Sequence, residues 1–346
     1  MTALTIPDDF VVDLHDLAAI ILDCHARTED RFTDTQLVEV NNGNRPLETL
    51  PDHILPPEWH ILFENQRRVA YILRKNPQLS TPVTLNNFAH PEQCVLPGSP
   101  RGKQRRELLE TAYWRCKDFD AGYLLTYVAQ RVFERLPPTA RLRARTATGY
   151  EMTCAPDEVL IAEVEVLPHT ACVMAVYEPR PELGLASIGM EQHLSGFDGP
   201  IPWVYLAIGV PQSTYLTRDT RVFLDLALPQ IGGRGSGHEP FALERGFDYH
   251  NRVLHKFADE YGEVVLSSKL RLSLAPPAYR TRGDMLIDMV VERLAKIAAG
   301  QDNFCRYCGK DGINTQCSVC KEAYFCADCR VPGWKYHKVW CVPVAK

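Results

Sequence analysis

Apolar residues recur at helical spacing near the start of the chain. Five of them share one face of a helix predicted over residues 12–28, namely Leu14, Leu17, Ala18, Ile21 and Cys24. The same kind of spacing predicts five further helices, at residues 59–74, 104–116, 119–135, 246–261 and 281–299. Gly300 follows the last of these segments, at the position where a glycine commonly ends a helix.

The middle of the chain changes to an alternation of apolar and polar residues, which is typical of strands. The clearest such segment is 158–167, and the others lie at 170–177, 203–208, 221–226 and 264–274. Residues 29–57 and 87–103 are rich in turn-forming residues, so we expect them to be irregular. The glycine-rich segment 232–237 lacks the lysine of a phosphate-binding loop, and we expect it to be a flexible loop.

These elements predict an α+β fold. We expect one large mixed domain of helices and sheet over residues 1–300, followed by a small cysteine-rich module over residues 301–346. Four of the six predicted helices lie before residue 138, and all of the predicted strands lie after it. An alternative organisation therefore divides the body into a helical part, 1–138, and a sheet-rich part, 139–300.

The composition is that of an ordinary globular protein and argues against extensive disorder. Of 346 residues, 45% are hydrophobic and 23% are charged. The net charge of -5 combines a balance of -8 in residues 1–300 with +3 in residues 301–346. This mildly acidic body lacks the strong basic patch of nucleic-acid-binding proteins, so direct nucleic-acid binding is not expected.

The sequence also bears on the cellular compartment. The first residues lack the basic and apolar regions of a signal peptide, and the longest apolar run, residues 17–22, is too short to span a bilayer. We therefore expect an intracellular protein of the cytoplasm, the nucleus or both, with no membrane partner. Five scattered cysteines are then expected to be free thiols, namely Cys24, Cys94, Cys116, Cys154 and Cys172.

The C-terminal segment carries candidate metal ligands at close, regular spacing. Residues 305–346 hold seven of the twelve cysteines, and the eight candidate ligands are Cys305, Cys308, Cys317, Cys320, Cys326, Cys329, His337 and Cys341. Eight thiolate and imidazole ligands fill two tetrahedral zinc sites, so we predict two zinc ions per chain. Because protein ligands would fill every position, we expect both sites to be structural rather than catalytic.

A segment of this length buries too little apolar surface to fold by packing alone. Structural zinc binding contributes roughly 10–16 kcal/mol, which is enough to fold it. We therefore expect the zinc module to fold as its own unit and to be dispensable for the folding of residues 1–300.

The segment resembles the MYND-type zinc finger family. The resemblance rests on the Cys-x2-Cys pairs, the aromatic residues before Cys326, and the final Trp334-x2-His337-x3-Cys341 pattern. It implies two interleaved sites, the first formed by Cys305, Cys308, Cys326 and Cys329 and the second by Cys317, Cys320, His337 and Cys341. It also implies a protein or peptide partner, often proline-rich, in a regulatory assembly.

The segment departs from the family pattern at two points. Two residues separate Cys326 from Cys329 where the family usually has three, and Arg330 stands where the family often has glutamine. A two-residue gap is still good zinc geometry, so these departures affect the expected surface for partners rather than metal binding. The favoured interpretation is a zinc-dependent interaction protein with a catalytically silent body.

An alternative interpretation gives the body a cysteine-dependent acyl-transfer or protease-like activity. Cys116 precedes the helix predicted near Tyr123, His169 begins a predicted strand, and Asp225 ends another. This order weakly resembles the transglutaminase-like and papain-like core, in which the histidine would act as base and the aspartate would orient it. In the opposing interpretation, Cys116 packs in a core, His169 lies in a surface turn and Asp225 caps a strand.

Overall fold

The computed structural model describes residues 5–61, 66–77, 79, 83–90, 93–178, 189–209, 221–270 and 277–344. Within these ranges the chain has a mixed helix and sheet architecture, which confirms the predicted fold class. The helices are α1 Leu14–Thr28, α2 Gly102–Lys117, α3 Gly122–Glu134, α4 Gly246–Asp248, α5 Pro277–Ala298 and α6 Arg330–Trp340. Among the described helices, none combines the length and apolar character that a membrane crossing requires.

The described strands form three sheets. The strands are β1 Val11–Asp13, β2 Thr35–Asn41, β3 Arg67–Lys75, β4 Arg141–Arg145, β5 Glu151–Cys154, β6 Val159–Pro168, β7 Thr170–Glu178, β8 Gly189–Ser195, β9 Ile201–Ile208, β10 Val222–Asp225, β11 Ala242–Arg245 and β12 Ala258–Ser267. Their orders are β1-β4-β5, β2-β3-β7-β8 and β11-β10-β9-β6-β12.

Two parallel pairings join the early and late parts of the body. Val12 in β1 lies opposite Leu142 in β4, and Tyr71 in β3 lies opposite Met174 in β7. A division of the body near residues 138–150 would separate β3 from β7. The domain boundaries themselves stay a prediction.

Helix α1 has the largest buried fraction of the long helices that the structure describes. Eleven of its residues are buried, on more than one face, and the side chain of Asp13 caps its first turn by accepting a hydrogen bond from the His15 amide at 3.1 Å. The same core continues through α3 and α5. At the end of α5, Gly300 adopts φ +68° and its amide bonds the Ile297 carbonyl at 2.9 Å, which fits the predicted glycine cap.

The helix predicted over residues 59–74 is wrong. Residues Pro57–His60 form a short 3-10 turn, and β3 follows at Arg67–Lys75. Strand β3 lies between β2 and β7, with Ala70, Tyr71, Ile72 and Leu73 all buried. A central strand that is covered on both faces carries a continuous apolar run, and such a run lacks the alternation that distinguishes strands from helices.

Three other sequence predictions also fail in part. The helix predicted over 246–261 is a series of short helical turns that ends at Lys256, where β12 begins two residues later. Strand β12 ends at Ser267, and residues 271–274 of the strand predicted over 264–274 lie outside the described residues. Segment 29–57, expected to be irregular, contains the fully buried strand β2.

Candidate metal centre

The eight candidate ligands lie in two separate groups. One group contains Cys305, Cys308, Cys326 and Cys329, and the other contains Cys317, Cys320, His337 and Cys341. Within each group the ligand atoms all lie within 4.8 Å of one another. Successive ligand pairs along the chain belong alternately to the first and the second group, so that the two sites are interleaved.

The spacing of the ligand atoms fits zinc. Thiolates about 2.3 Å from a zinc ion lie about 3.8 Å apart at the corners of a tetrahedron, and a thiolate and an imidazole nitrogen lie about 3.6 Å apart. The Sγ atoms of Cys317 and Cys341 are 3.8 Å apart, and Cys320 Sγ lies 3.6 Å from His337 Nε2. These distances exclude disulfides, whose sulfurs lie about 2.05 Å apart. The prediction of two zinc-binding clusters is confirmed.

Local backbone turns place the paired cysteines side by side. The amide of Gly309 donates to the carbonyl of Cys305 at 2.9 Å, and the amide of Lys321 donates to that of Cys317 at 3.1 Å. Gly309 and Lys321 both have positive φ, +77° and +59°, so that each turn closes directly after its second cysteine. The two thiols of each pair then point toward one ion.

Helix α6 supplies the last protein ligands. It begins directly after Cys329, presents His337 from its last turn, and ends at Trp340, directly before Cys341. The His337 ring is packed edge-on against Phe325 at 5.3 Å and against Trp334 at 5.7 Å between ring centroids. These contacts fix the orientation of the imidazole.

The electrostatics favour the zinc-binding form at two of the ligands, whereas hydrogen bonds with Cys305 raise the pKa of Cys308 and of Cys329. Burial, assisted by the positive charge of Arg306, lowers the pKa of His337, so that its imidazole is neutral and has a free lone pair. Hydrogen bonds from the thiols of Cys308, Cys326 and Cys329 lower the pKa of Cys305 far below its ordinary value. A thiolate at this position is the form that a zinc ion requires.

The zinc module, residues 301–346 and hereafter the finger, is packed against the body. Phe304, only 5% exposed, belongs to the main hydrophobic core of the body. Tyr307 lies between two ligands and is buried, and its hydroxyl donates to the Glu110 carboxylate at 2.9 Å. The same hydroxyl accepts a hydrogen bond from Arg234 Nη1 at 3.2 Å. The first zinc site is therefore attached directly to α2.

Helix α1 is the second element of the body that the finger covers. The rings of His15 and Tyr336 are stacked, with centroids 3.6 Å apart and planes 9° from parallel. Arg306 forms an ion pair with Asp16 one residue further along α1. A Cβ atom on Gly309 would lie 2.0 Å from the carbonyl oxygen of Ala19, so the chain approaches α1 more closely than any side chain allows.

The glycine-rich segment 232–237, which the sequence predicted to be a flexible loop, is a closely packed turn. Cβ atoms on Gly235 and Gly237 would lie 2.4 Å from the Phe241 carbonyl and 2.0 Å from the Glu239 carboxylate. This packing aims the side chain of Arg234 at Tyr307 of the finger. Nothing in the sequence pairs these residues, because the contact joins segments that are 73 positions apart.

The environment of Cys116 does not favour a nucleophile. Cys116 lies at the C-terminal end of α2, rather than at the start of a helix, and is fully buried. The negative end of a helix dipole disfavours a thiolate, and burial raises the pKa of Cys116 well above its ordinary value.

The other two residues of the alternative catalytic set are engaged elsewhere. The buried carboxylate of Asp225 accepts hydrogen bonds from Trp203 Nε1 at 3.1 Å and from the Tyr249 hydroxyl at 2.7 Å, and burial raises its pKa to about 6. His169 Nε2 lies 3.2 Å from the carboxylate of Asp259. No hydrogen bond or ion pair among the described residues joins His169 to Cys116 or Asp225.

No family model, curated protein or solved structure matches this chain. The two metal-binding clusters are therefore the feature of the molecule that bears most directly on function.

Proposed function

We propose that this chain is a zinc-dependent interaction protein whose finger is of the MYND type and binds a proline-rich peptide. The observation that carries the proposal is a groove of about 380 Å³ on the finger, beside the second zinc site. Three apolar side chains in its lining are unusually exposed: Val319 is 42%, Val331 76% and Trp334 45% exposed. Exposed apolar residues grouped around a groove are typical of a binding surface.

The groove has the chemistry that proline-rich segments require. Such segments adopt the polyproline II conformation before binding and dock on grooves that contain aromatic rings. Trp334 supplies the ring. It packs edge-on against the zinc ligand His337, so that zinc binding and the shape of the groove depend on each other. Arg330 also lines the groove and favours a peptide with an acidic residue near its prolines.

Peptide binding measured by fluorescence anisotropy tests this proposal. We expect members of a library of labelled ten-residue P-x-x-P peptides to bind the zinc-loaded full chain, and Trp334→Ala to weaken them at least about tenfold. Phe247→Ala is the matched control, because Phe247 is an aromatic residue of the body with similar exposure, 51%. Binding that survives Trp334→Ala, or a library with no binder, would overturn the proposal.

We further propose that the protein works in a reducing, intracellular compartment. All twelve cysteines are unpaired, including four buried ones in the body, namely Cys24, Cys116, Cys154 and Cys172. Buried free thiols and zinc thiolates both persist where disulfide formation is disfavoured. Mass spectrometry of the protein, alkylated without reduction in a cell extract, would show twelve reduced cysteines; a disulfide would contradict the proposal.

A further inference from the structure

A large cleft opens beside sheet β2-β3-β7-β8, and none of its lining residues is a metal ligand. Its volume is about 1190 Å³, which is ample for a small organic molecule. Residues from β3, α2, β12 and the turn at Gly232 form its walls. Much of the wall is apolar, with contributions from Val69, Leu108 and Phe257.

A buried arginine forms part of this wall. Arg115 is only 3% exposed, and its Nη2 donates to the Thr170 carbonyl at 2.7 Å. The Tyr71 hydroxyl also lies within hydrogen-bonding reach of the guanidinium. Nη1 lies 3.3 Å from the place where Gly232 would carry a Cβ atom, so the missing side chain leaves space beside the charged group.

The guanidinium of Arg115 has no carboxylate partner among the described residues, and its Nε has no hydrogen-bond partner. The similarly buried Arg293 differs, because it bonds the carboxylates of Asp23 and Asp302 at 3.1 Å each. Arg115 lies in the last turn of α2, where the helix dipole favours a positive charge, but a dipole only partly replaces an anion. A buried cation in a cleft wall with no acid beside it is a natural place for an anionic ligand group.

Two basic residues at the rim of the cleft add to the positive charge of Arg115. Arg67 and Lys256 both line the cleft, and neither forms an ion pair within the described part of the chain. The acidic residues of the lining already have basic partners: Asp259 lies 3.2 Å from His169, and Glu107 lies 3.6 Å from Lys103. The cleft therefore presents three cations without an ion-pair partner against two acids, of which Glu107 is paired with a lysine.

We propose that this cleft binds a small organic anion with an apolar body. Its carboxylate or phosphate head accepts hydrogen bonds from Arg115, and its apolar body lies against Val69, Leu108 and Phe257. Arg67 and Lys256 attract the anion to the cleft mouth. The site is separate from the peptide groove of the finger.

Calorimetric titration of the zinc-loaded full chain tests the proposal with four probes that separate head group from body. Decanoate and decyl phosphate carry the same apolar chain with a carboxylate or a phosphate head, decanol carries a neutral head, and inorganic phosphate lacks the chain. We expect the two amphipathic anions to bind at least about tenfold more tightly than decanol and than inorganic phosphate. The tighter of the two anions identifies the head group.

Three variants locate the binding. Arg115→Met should remove most of the advantage of decanoate over decanol, and Leu108→Trp should weaken every probe that has the apolar chain by filling the cleft. Lys256→Glu should weaken the anions several-fold, whereas Lys269→Glu, the matched change at an exposed lysine outside the cleft lining, should not. If Arg115→Met fails to fold, Leu108→Trp and Lys256→Glu still decide the location.

Equal binding of decanoate and decanol would overturn the role of Arg115 and leave a merely apolar cleft. Failure of both amphipathic anions to bind would overturn the proposal as a whole. Loss of stability in Arg115→Met with unchanged decanoate affinity would show that Arg115 is a structural clamp between α2 and β7. None of these outcomes depends on peptide binding by the finger.

Discussion

Each metal ligand of the finger has a second ligand three positions away, or four positions away in the case of His337 and Cys341. Such local spacing pairs the ligands, and for that reason the sequence alone was enough to predict two clusters, whereas the assignment of pairs to each site came from the resemblance to the MYND-type family. Arg115 is the opposite case. Its significance depends on Thr170, a residue 55 positions away, and on the absence of a nearby acid, neither of which leaves a local pattern.

We predict two zinc ions per chain, and the loss of metal from both sites when one ligand is changed. Cys305→Ser and Cys317→Ser each remove a ligand from one of two interleaved sites, so either change should unfold the whole finger. Elemental analysis would measure the zinc content, and backbone NMR would show whether the finger is folded. Cys94→Ser, at a thiol outside both groups, is the control. A variant that keeps one ion and a native spectrum would show that the sites fold independently.

Gly309→Ala should destabilise the protein more than Gly312→Ala. Both glycines have positive φ, but a Cβ atom on Gly309 meets α1 whereas nothing lies within 4 Å of one on Gly312. Gly312→Ala should therefore cost only the backbone strain, about 1 kcal/mol, and Gly309→Ala about 2–4 kcal/mol in the free energy of unfolding by urea. Equal costs would mean that the finger does not rest on α1 in solution.

At the scale of elements, burial explains which predictions succeeded. Strand β6 carries an alternation of apolar and polar residues, and helix α5 is followed by the capping residue Gly300. Both elements lie where the sequence predicted them, within a few residues. Strand β3 is buried on both faces, with Tyr71 and Leu73 in one hydrophobic cluster and Ala70 and Ile72 in another, so its apolar run had no diagnostic period. The short turns before β12 exist because the chain leaves the helical conformation to pair with β6, and that pairing is invisible in local sequence.

The contact between α1 and α6 should weaken at alkaline pH. Burial alone would lower the pKa of His15, but the carboxylates of Asp16 and Glu239, 3.9 and 3.4 Å from its ring nitrogens, outweigh burial and raise the pKa to about 9. Because the folded-state pKa exceeds the unfolded value of about 6.5, the charged imidazole stabilises the fold fully below pH 6.5. This contribution, about 3 kcal/mol, is then lost as the pH rises through 9.

Urea unfolding at pH 6 and pH 9 would measure this loss in the native chain and in His15→Gln. The native chain should lose more stability than the variant, while the exposed His60→Gln should behave like the native chain. Zinc binding itself strengthens as thiols deprotonate, so it opposes the expected trend. A pH dependence that is the same in the native chain and His15→Gln would refute the role of His15.

At the scale of the whole molecule, the finger and the body share one continuous set of contacts. Phe304 lies in the core of the body, and Trp340 Nε1 donates to the Thr146 carbonyl at 3.0 Å. The sequence suggested a finger that is dispensable for the folding of residues 1–300, because zinc can fold a short segment by itself. These contacts lead us to expect instead that the body depends on the finger for part of its stability.

Removal of zinc should therefore loosen part of the body. Hydrogen exchange of the full chain after chelation should show lost protection in α1, which the finger covers, and retained protection in β9, which lies inside the five-stranded sheet. The zinc-loaded chain provides the reference. Unchanged protection of α1 would restore the modular interpretation, in which a chain that ends near Gly300 keeps a cooperative thermal transition.

The contact between α1 and the finger also imposes a delay during synthesis of the chain. Asp16 and Arg306 are 290 positions apart, and a ribosome that adds about 5–20 residues per second needs roughly 15–60 s to travel that distance. During this interval the first helix has been made but its cover has not, and the cover forms only after zinc is captured. The nascent chain therefore waits with the His15 and Ala19 face of α1 uncovered, and a short supply of free zinc lengthens that wait beyond the time of synthesis.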